Sequence, residues 1–144
     1  MTYKVVGQRP SGTKVLVDPS QIGGANVVLL NVTCLSSVYV GAAVRMTSGG
    51  TAVNAQADAL ANANVIGIVE GKPTSTTCNI RVMGVSDAIF AGLDVTKEYY
   101  LSDAVAGQLT TTIPTASGSV VLKLGQPFSA TEFLMNKGQQ VVRL

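Results

Sequence analysis

The chain has no histidine and no tryptophan. Without histidine there can be no Ser-His-Asp or Cys-His nucleophile, no histidine-bearing zinc site, and none of the usual general base for neutral pH. Cysteine is almost as scarce. Cys34 and Cys78 cannot form a four-thiolate site and lack metal-ligand spacing, so both are expected to be free, buried thiols. Charge is low as well: 12 % of residues are charged, about half the usual share. Ten Lys and Arg against eight Asp and Glu leave a net charge of +2. Scattered cations of this kind are not the clustered footprint of a nucleic-acid binder. No apolar run reaches the roughly 20 residues that a bilayer requires, and the long uncharged stretch 21–44 is broken by Gly, Asn, Thr and Ser. Neither nucleic acid nor membrane is therefore an expected partner. The opening "MTYKVVGQRPSGTK" has basic residues with no apolar stretch behind them, so a secretory leader is not expected. Synthesis and first function are expected in the cytoplasm.

What is present is apolar and small. The hydrophobic fraction is 47 % and the aromatic fraction 5 %, a composition able to bury enough surface to offset chain entropy. Low charge suits a chain that hides its surface in an assembly. It equally suits a small β domain with a Thr- and Ser-rich exterior.

Residues 1–36 differ from the rest. Lys4, Arg9 and Lys14 precede the first acid, Asp18, and "QRPSGT" and "DPSQIGGAN" are turn signals. Between them lie short strand candidates, "YKVV" and "TKVLV", followed by the longer run "NVVLLNVT". This reads as an extended N-terminal arm. It either adds to a neighbour's sheet or folds as a pair of strands onto its own domain.

Residues 37–144 read as a regular β-rich domain. "SVYVGAAVRMT", "TAVNA", "VIGIVEG", "TCNIRVMG", "VVLKLGQPF" and "TEFLMN" are strand-like, with a further strand in "AGLDVTKEYYLSD". Turn-rich segments such as "SGG", "KPTST" and "GQLTTTIPTASGS" separate them. "QADALANAN" is too short for a core helix and predicts a helical turn or loop. In "NIRV", Ile80 and Val82 alternate with Asn79 and Arg81, the period-2 mark of a half-buried strand. Tyr99 and Tyr100, adjacent in a strand, point to opposite faces, one to the core and one to the surface. Lys123 interrupts an apolar run and marks a face toward solvent or an interface. Short strands at even spacing predict an all-β fold, a small sandwich or barrel-like domain of antiparallel strands. Val40, Val44, Val65, Ile68, Ile80, Val82, Leu101, Val121 and Leu134 are the expected core. Gly49, Gly50, Gly107 and Gly118 are the expected positive-φ turn positions.

Candidate chemistry is thin. The acids, Asp18, Asp58, Glu70, Asp87, Asp94, Glu98, Asp103 and Glu132, are scattered. Two of them could in principle meet as a glycosidase pair, and Asp94 and Glu98 are close in sequence, but solvated strand ends account for them equally well. Ser11-Gly12-Thr13-Lys14 fits S-x-x-K without its companion motifs. "GIVEGK" at 67–72 falls one residue short of a phosphate loop, with Pro73 where a magnesium-binding hydroxyl belongs. Asn31-Val32-Thr33 is a sequon that needs a secretory route to matter. No catalytic, cofactor-binding or metal-ligating residue is assigned, no cofactor is expected, and the chain is not expected to be an enzyme.

The segment "EYYLSDAVAGQLTTTIPTASGSVVLKLGQPFSATEFLMN" resembles one found in tailed-bacteriophage virion proteins. There a strand ending Tyr-Leu-Ser leads to Gly-x-Leu/Ile-Thr-Thr-x-x-Pro. A Gly-Ser-x-Val-x-x-x-Gly strand follows, then a last strand ending in Asn or Asp. Upstream, "SVYVGAAVRMTSGGTAVNAQADALANANVIGIVEG" resembles the companion unit of small capsid decoration and head-fibre-associated domains. The resemblance covers residues 37–136 and leaves the first 36 unmatched. It implies a virion structural protein, made in the host bacterial cytoplasm and assembled without cofactors as a homotrimer. Its partner would be the major capsid protein or another virion protein. A capsid decoration (cement) role is the first expectation, and a tail, collar or head-fibre component is the second. A soluble carbohydrate-binding domain is the alternative from another class, disfavoured by the few aromatics.

Overall fold

The computed structural model describes residues 26–144. It is all-β, an antiparallel sheet curled into a half-barrel. The strand candidates "YKVV" and "TKVLV" and the cations Lys4, Arg9 and Lys14 lie outside the described residues. Within them run eleven strands: β1 Val27–Thr33, β2 Ala43–Met46, β3 Ala52–Asn54, β4 Gly67–Thr74, β5 Thr77–Val85, β6 Tyr99–Leu101, β7 Leu109–Thr110, β8 Val120–Val121, β9 Lys123–Pro127, β10 Phe133–Met135 and β11 Val141–Val142. "QADALANAN" supplies one 3-10 turn, Leu60–Asn62.

The main sheet runs β3-β2-β4-β5-β10-β9-β6-β7. β5 is its spine. β4 lies along one side, while β1 and β10 share the other end to end: Thr33 to Val27 face Thr77 to Met83, and Met135 and Leu134 take over at Gly84 and Val85. Residues 27–33 of the expected arm are thus a strand of this same sheet. β11 and β8 form a separate two-stranded ribbon.

Two buried clusters, one on each side of β2 and β4, hold the body together. Ala43 and Ile68, paired in register, belong to a cluster with Leu101, Leu122, Leu124, Phe133 and Met135. Their chain neighbours Val44 and Val69 belong to the second, with Cys34, Val38, Ala52, Cys78 and Ile80. Successive strand residues point to opposite faces. The unbroken apolar runs "AAV" and "IGIV" are therefore what a strand buried on both faces requires. Phe133 centres the first cluster, with the Tyr99 ring edge-on at 5.9 Å and Phe90 tilted at 6.0 Å.

Of the expected core, Val44, Val65, Ile68, Ile80 and Leu101 are buried, whereas Val82, Val121 and Leu134 are only partly so. Val40 is 44 % exposed and Val38 takes the core position at 2 %. The strand expected over "SVYVGAAVRMT" begins only at Ala43, after a turn in which the Ala42 amide donates to the Tyr39 carbonyl and Gly41 has φ +95°. Alternation does not carry across such a turn. Gly50, Gly107 and Gly118 have positive φ as expected, and Gly49 does not. Arg81, expected on the outer face of its strand, is 8 % exposed, because a carboxylate is waiting for it there. "GIVEGK" lies within β4, which continues through Lys72 and Pro73 to Thr74, so the turn expected over "KPTST" is confined to its end.

Candidate functional site

Arg81 and Glu70 form the more enclosed of the two ion pairs among the described residues. Arg81 Nε donates to Glu70 Oε2 at 2.8 Å and Nη2 donates to Oε1 at 3.3 Å, with the two side chains 10 % and 6 % exposed. The Asp87 amide also donates to Oε2. Arg81 Nη1 and the Val85 amide both reach Asn26 Oδ1, at 3.4 and 3.3 Å. The arrangement ties the start of β1 and the end of β5 to β4. Every charged atom here is engaged with the fold, so the centre is a clamp and not an open site. The β4–β5 hairpin places Ile68 opposite Arg81, which sets Glu70, two residues on, within diagonal reach. Counting back from the turn at 75–76 was the available signal, and period-2 reading alone misses it.

A shallow open groove of about 520 Å³ runs between the 95–98 loop, β6, β7 and β9, lined by Thr96, Lys97, Glu98, Tyr100, Thr111 and Gln126. Its lining carboxylate, Glu98, is occupied, and so is nearby Asp94. Lys123 Nζ donates to Glu98 Oε2 at 2.8 Å and the Tyr100 hydroxyl donates to Oε1 at 3.2 Å. Asp94 Oδ1 accepts from the Thr96 hydroxyl at 2.6 Å and from the Thr96 amide at 2.9 Å. The hydrogen bond from Lys123 holds Glu98 below the ordinary carboxylate range, and the Thr96 hydroxyl does the same for Asp94. Both are ionised at neutral pH, so neither is the protonated acid that a glycosidase pair needs. Tyr100 lines this groove, while Tyr99 packs against the core cluster, the division expected of adjacent strand residues. Partial burial followed by its bond to Glu98 raises Tyr100. Lys123 is half-exposed and ion-paired at the surface.

Cys34 and Cys78 are free and buried. They meet in the second core cluster, where the Cys34 amide donates to Thr76 and Val32 faces Cys78 across β1–β5. Burial, reinforced by the hydrogen bond with Cys34, pushes the Cys78 thiol up to about 12. The thiolate is the nucleophile, so Cys78 should resist a maleimide at pH 8 and react only once the protein is unfolded, while Cys34, 2 % exposed, is shielded by burial. A time course of labelling with and without urea checks this. The sign of the linkage follows. A folded value above the ordinary 9.0 contributes stability at lower pH and loses it as pH rises from about 9 to about 12.

Among the described residues no group of three or more His, Cys, Asp or Glu could hold a metal ion. Two buried side-chain atoms lack a partner there, Arg45 Nε and Asn54 Oδ1. They do not form a common site. Asn54 is opposite Val44 and Arg45 is opposite Val53, which puts them on opposite faces. No helix among the described residues is long and apolar enough to cross a membrane.

No known protein family, curated protein or solved structure matches the chain.

The surface carries what the interior does not need. Leu30 is 58 % exposed, Leu35 50 % and Phe128 65 %, with Val27, Leu29, Tyr39, Val40, Met83, Val95 and Val105 also outward. Scattered apolar side chains are ordinary on a surface. Those on and beside β1 are close together, however. Val27 is opposite Met83, Leu29 and Leu30 follow along the strand, and Leu35 comes two residues after its end. None of these positions was singled out in the sequence, because the run "NVVLLNVT" has the same letters as a buried strand.

Proposed function

We propose that this chain is a structural component of a bacteriophage particle, a capsid decoration (cement) protein that binds the outer surface of the head and reinforces it. It would be made in the host cytoplasm and assemble as a homotrimer on the major capsid protein, without cofactor or catalysis. One observation carries the reading. The described body engages its buried Arg81–Glu70 pair with its own strands and turns apolar side chains outward on and beside β1, Leu30 at 58 % and Leu35 at 50 % exposure. The resemblance of residues 37–136 to virion β domains agrees with this. So does the low charge, which suits a neutral protein–protein contact better than electrostatic capture of a small ligand. Many copies of a modest interface would then supply the reinforcement.

The test is the copy number of this chain relative to the major shell protein in particles purified from its source. A ratio comparable with the shell protein is the expected result. A few copies per particle would move the chain to the tail, collar or head fibre, and absence from particles would overturn the reading.

A further inference from the structure

The two cysteines of the chain are far apart in sequence, and the fold sets them side by side. Cys78 is opposite Val32 in the β1–β5 register, and the Cys34 amide donates to the Thr76 carbonyl at 2.9 Å. Cys34 is therefore opposite Thr76, two residues on from Val32. Its side chain falls on the same face as that of Cys78, as a diagonal neighbour. The two thiols hydrogen-bond within the second core cluster, 2 % and 0 % exposed. Such a pair can do what a lone cysteine cannot: give up two hydrogens and become a bond. β1, which ends one residue before Cys34, is lightly held. Five of its seven residues are exposed, and register shifts between Val27 and Val28 and between Leu29 and Val32 break its pairing with β5.

We infer that Cys34 and Cys78 are a redox lock on β1: a peroxide joins them in a disulfide that fastens the end of β1 to β5, and a thiol reductant releases it. A peroxide suits the site because it is small, uncharged and adds no atoms to the finished bond. The core that shuts out a maleimide can therefore admit it. One thiol takes an oxygen from hydrogen peroxide, becoming a sulfenic acid and releasing water. The other thiol then displaces that oxygen as a second water while the S–S bond forms. Two electrons pass from the sulfurs to the peroxide, and both thiol hydrogens leave in the waters. Diagonal neighbours lie about 7–8 Å apart, and a disulfide needs Cα atoms within about 7 Å. Closing the bond thus draws the end of β1 toward β5 by up to about 1 Å. A strand exposed on both faces can yield by that much, whereas β4, buried on both, could not. A bond made under such tension is readily reduced, so it works as a lock that reopens. The lock needs only the folded chain and an oxidant, so it stands or falls separately from the virion reading.

The experiment uses the folded full chain, treated with hydrogen peroxide at pH 8 and digested without reduction for mass spectrometry. The expected product is a pair of peptides from one chain joined through Cys34 and Cys78. The oxidised chain should melt about 5–10 °C higher, since the bond closes a loop of roughly 45 residues. Hydrogen exchange at the amides of β1 should slow by at least about tenfold. Dithiothreitol should reverse both changes. In Cys34→Ala, and separately in Cys78→Ala, peroxide should leave the melt and the β1 exchange where they were. Oxygen added at Cys34 or Cys78 without a cross-link, a cross-link between chains, or no reaction of the folded chain would each overturn the inference. So would an intrachain bond that leaves β1 exchange unchanged, because the pair would then fasten nothing.

Discussion

Glu70→Ala is expected to lower the stability of the folded chain by about 3–5 kcal/mol, the usual loss when one partner of a buried ion pair is removed. The substitution leaves the buried Arg81 side chain, 10 % exposed, without its carboxylate and takes the acceptor from the Asp87 amide. The carboxylate grips Nε and Nη2 together, so Glu70→Gln, which keeps the shape but not the charge, should fall between wild type and Glu70→Ala. Replacing both partners with methionine should cost much less than Glu70→Ala, because no charge is then left buried and unpaired. Urea unfolding of the three variants would decide the matter. A loss below about 1 kcal/mol for Glu70→Ala would mean that the pair behaves as a surface ion pair does. The Glu98–Lys123 bridge has the same 2.8 Å length but is 39 % and 49 % exposed at its two ends, and serves as the surface comparison.

Gly125→Ala should be the more severe backbone change, destabilising by more than about 4 kcal/mol or preventing folding. Gly125 has φ +148°, and a methyl group there would land on the Leu134 carbonyl oxygen of the neighbouring strand. Backbone on both sides leaves little room to yield, since Gly125 is paired with Met135 of β10 and with Tyr99 of β6. Gly118→Ala is the control. Its φ is +87° but nothing lies within 4 Å of the added methyl, so only the conformational cost of roughly 1–2 kcal/mol applies. If the two variants showed equal denaturation midpoints, steric crowding at β9–β10 could not be the cause.

These two residues show where reading the sequence succeeds and where it stops. Ile68, Ile80 and Leu101 were legible because each lies within a strand, where alternation of side chains is a local property. Gly107 and Gly118 were legible because a turn names its own glycine. Gly125 was not, since its necessity comes from Leu134, a residue on another strand. Arg81 fails in the same way: alternation correctly places it opposite Ile80 and Val82, but only the β4–β5 pairing reveals that Glu70 encloses it. Val40 fails for the reverse reason. It was assigned the parity of Val44 across a turn at Gly41 that resets it. The candidate surface was the least legible part, because "VVLLNVT" in an exposed strand and the same letters in a core cannot be told apart before the partners of the strand are known.

The last described segment has a consequence for how the protein comes into being. Lys137 Nζ donates to the Val65 carbonyl and Gln140 Nε2 to the Ala63 carbonyl, both at 2.7 Å and across 72 and 77 residues of chain. The Arg143 amide and carbonyl bracket Ser119 and Gly118 beside the β11–β8 ribbon. The loop that carries Val65 and Ala63 is therefore made 72 and 77 residues ahead of these fasteners and waits for them during synthesis. A nascent chain halted before Lys137 lacks both of these bonds, so the loop is fastened only after residues 137–140 have emerged.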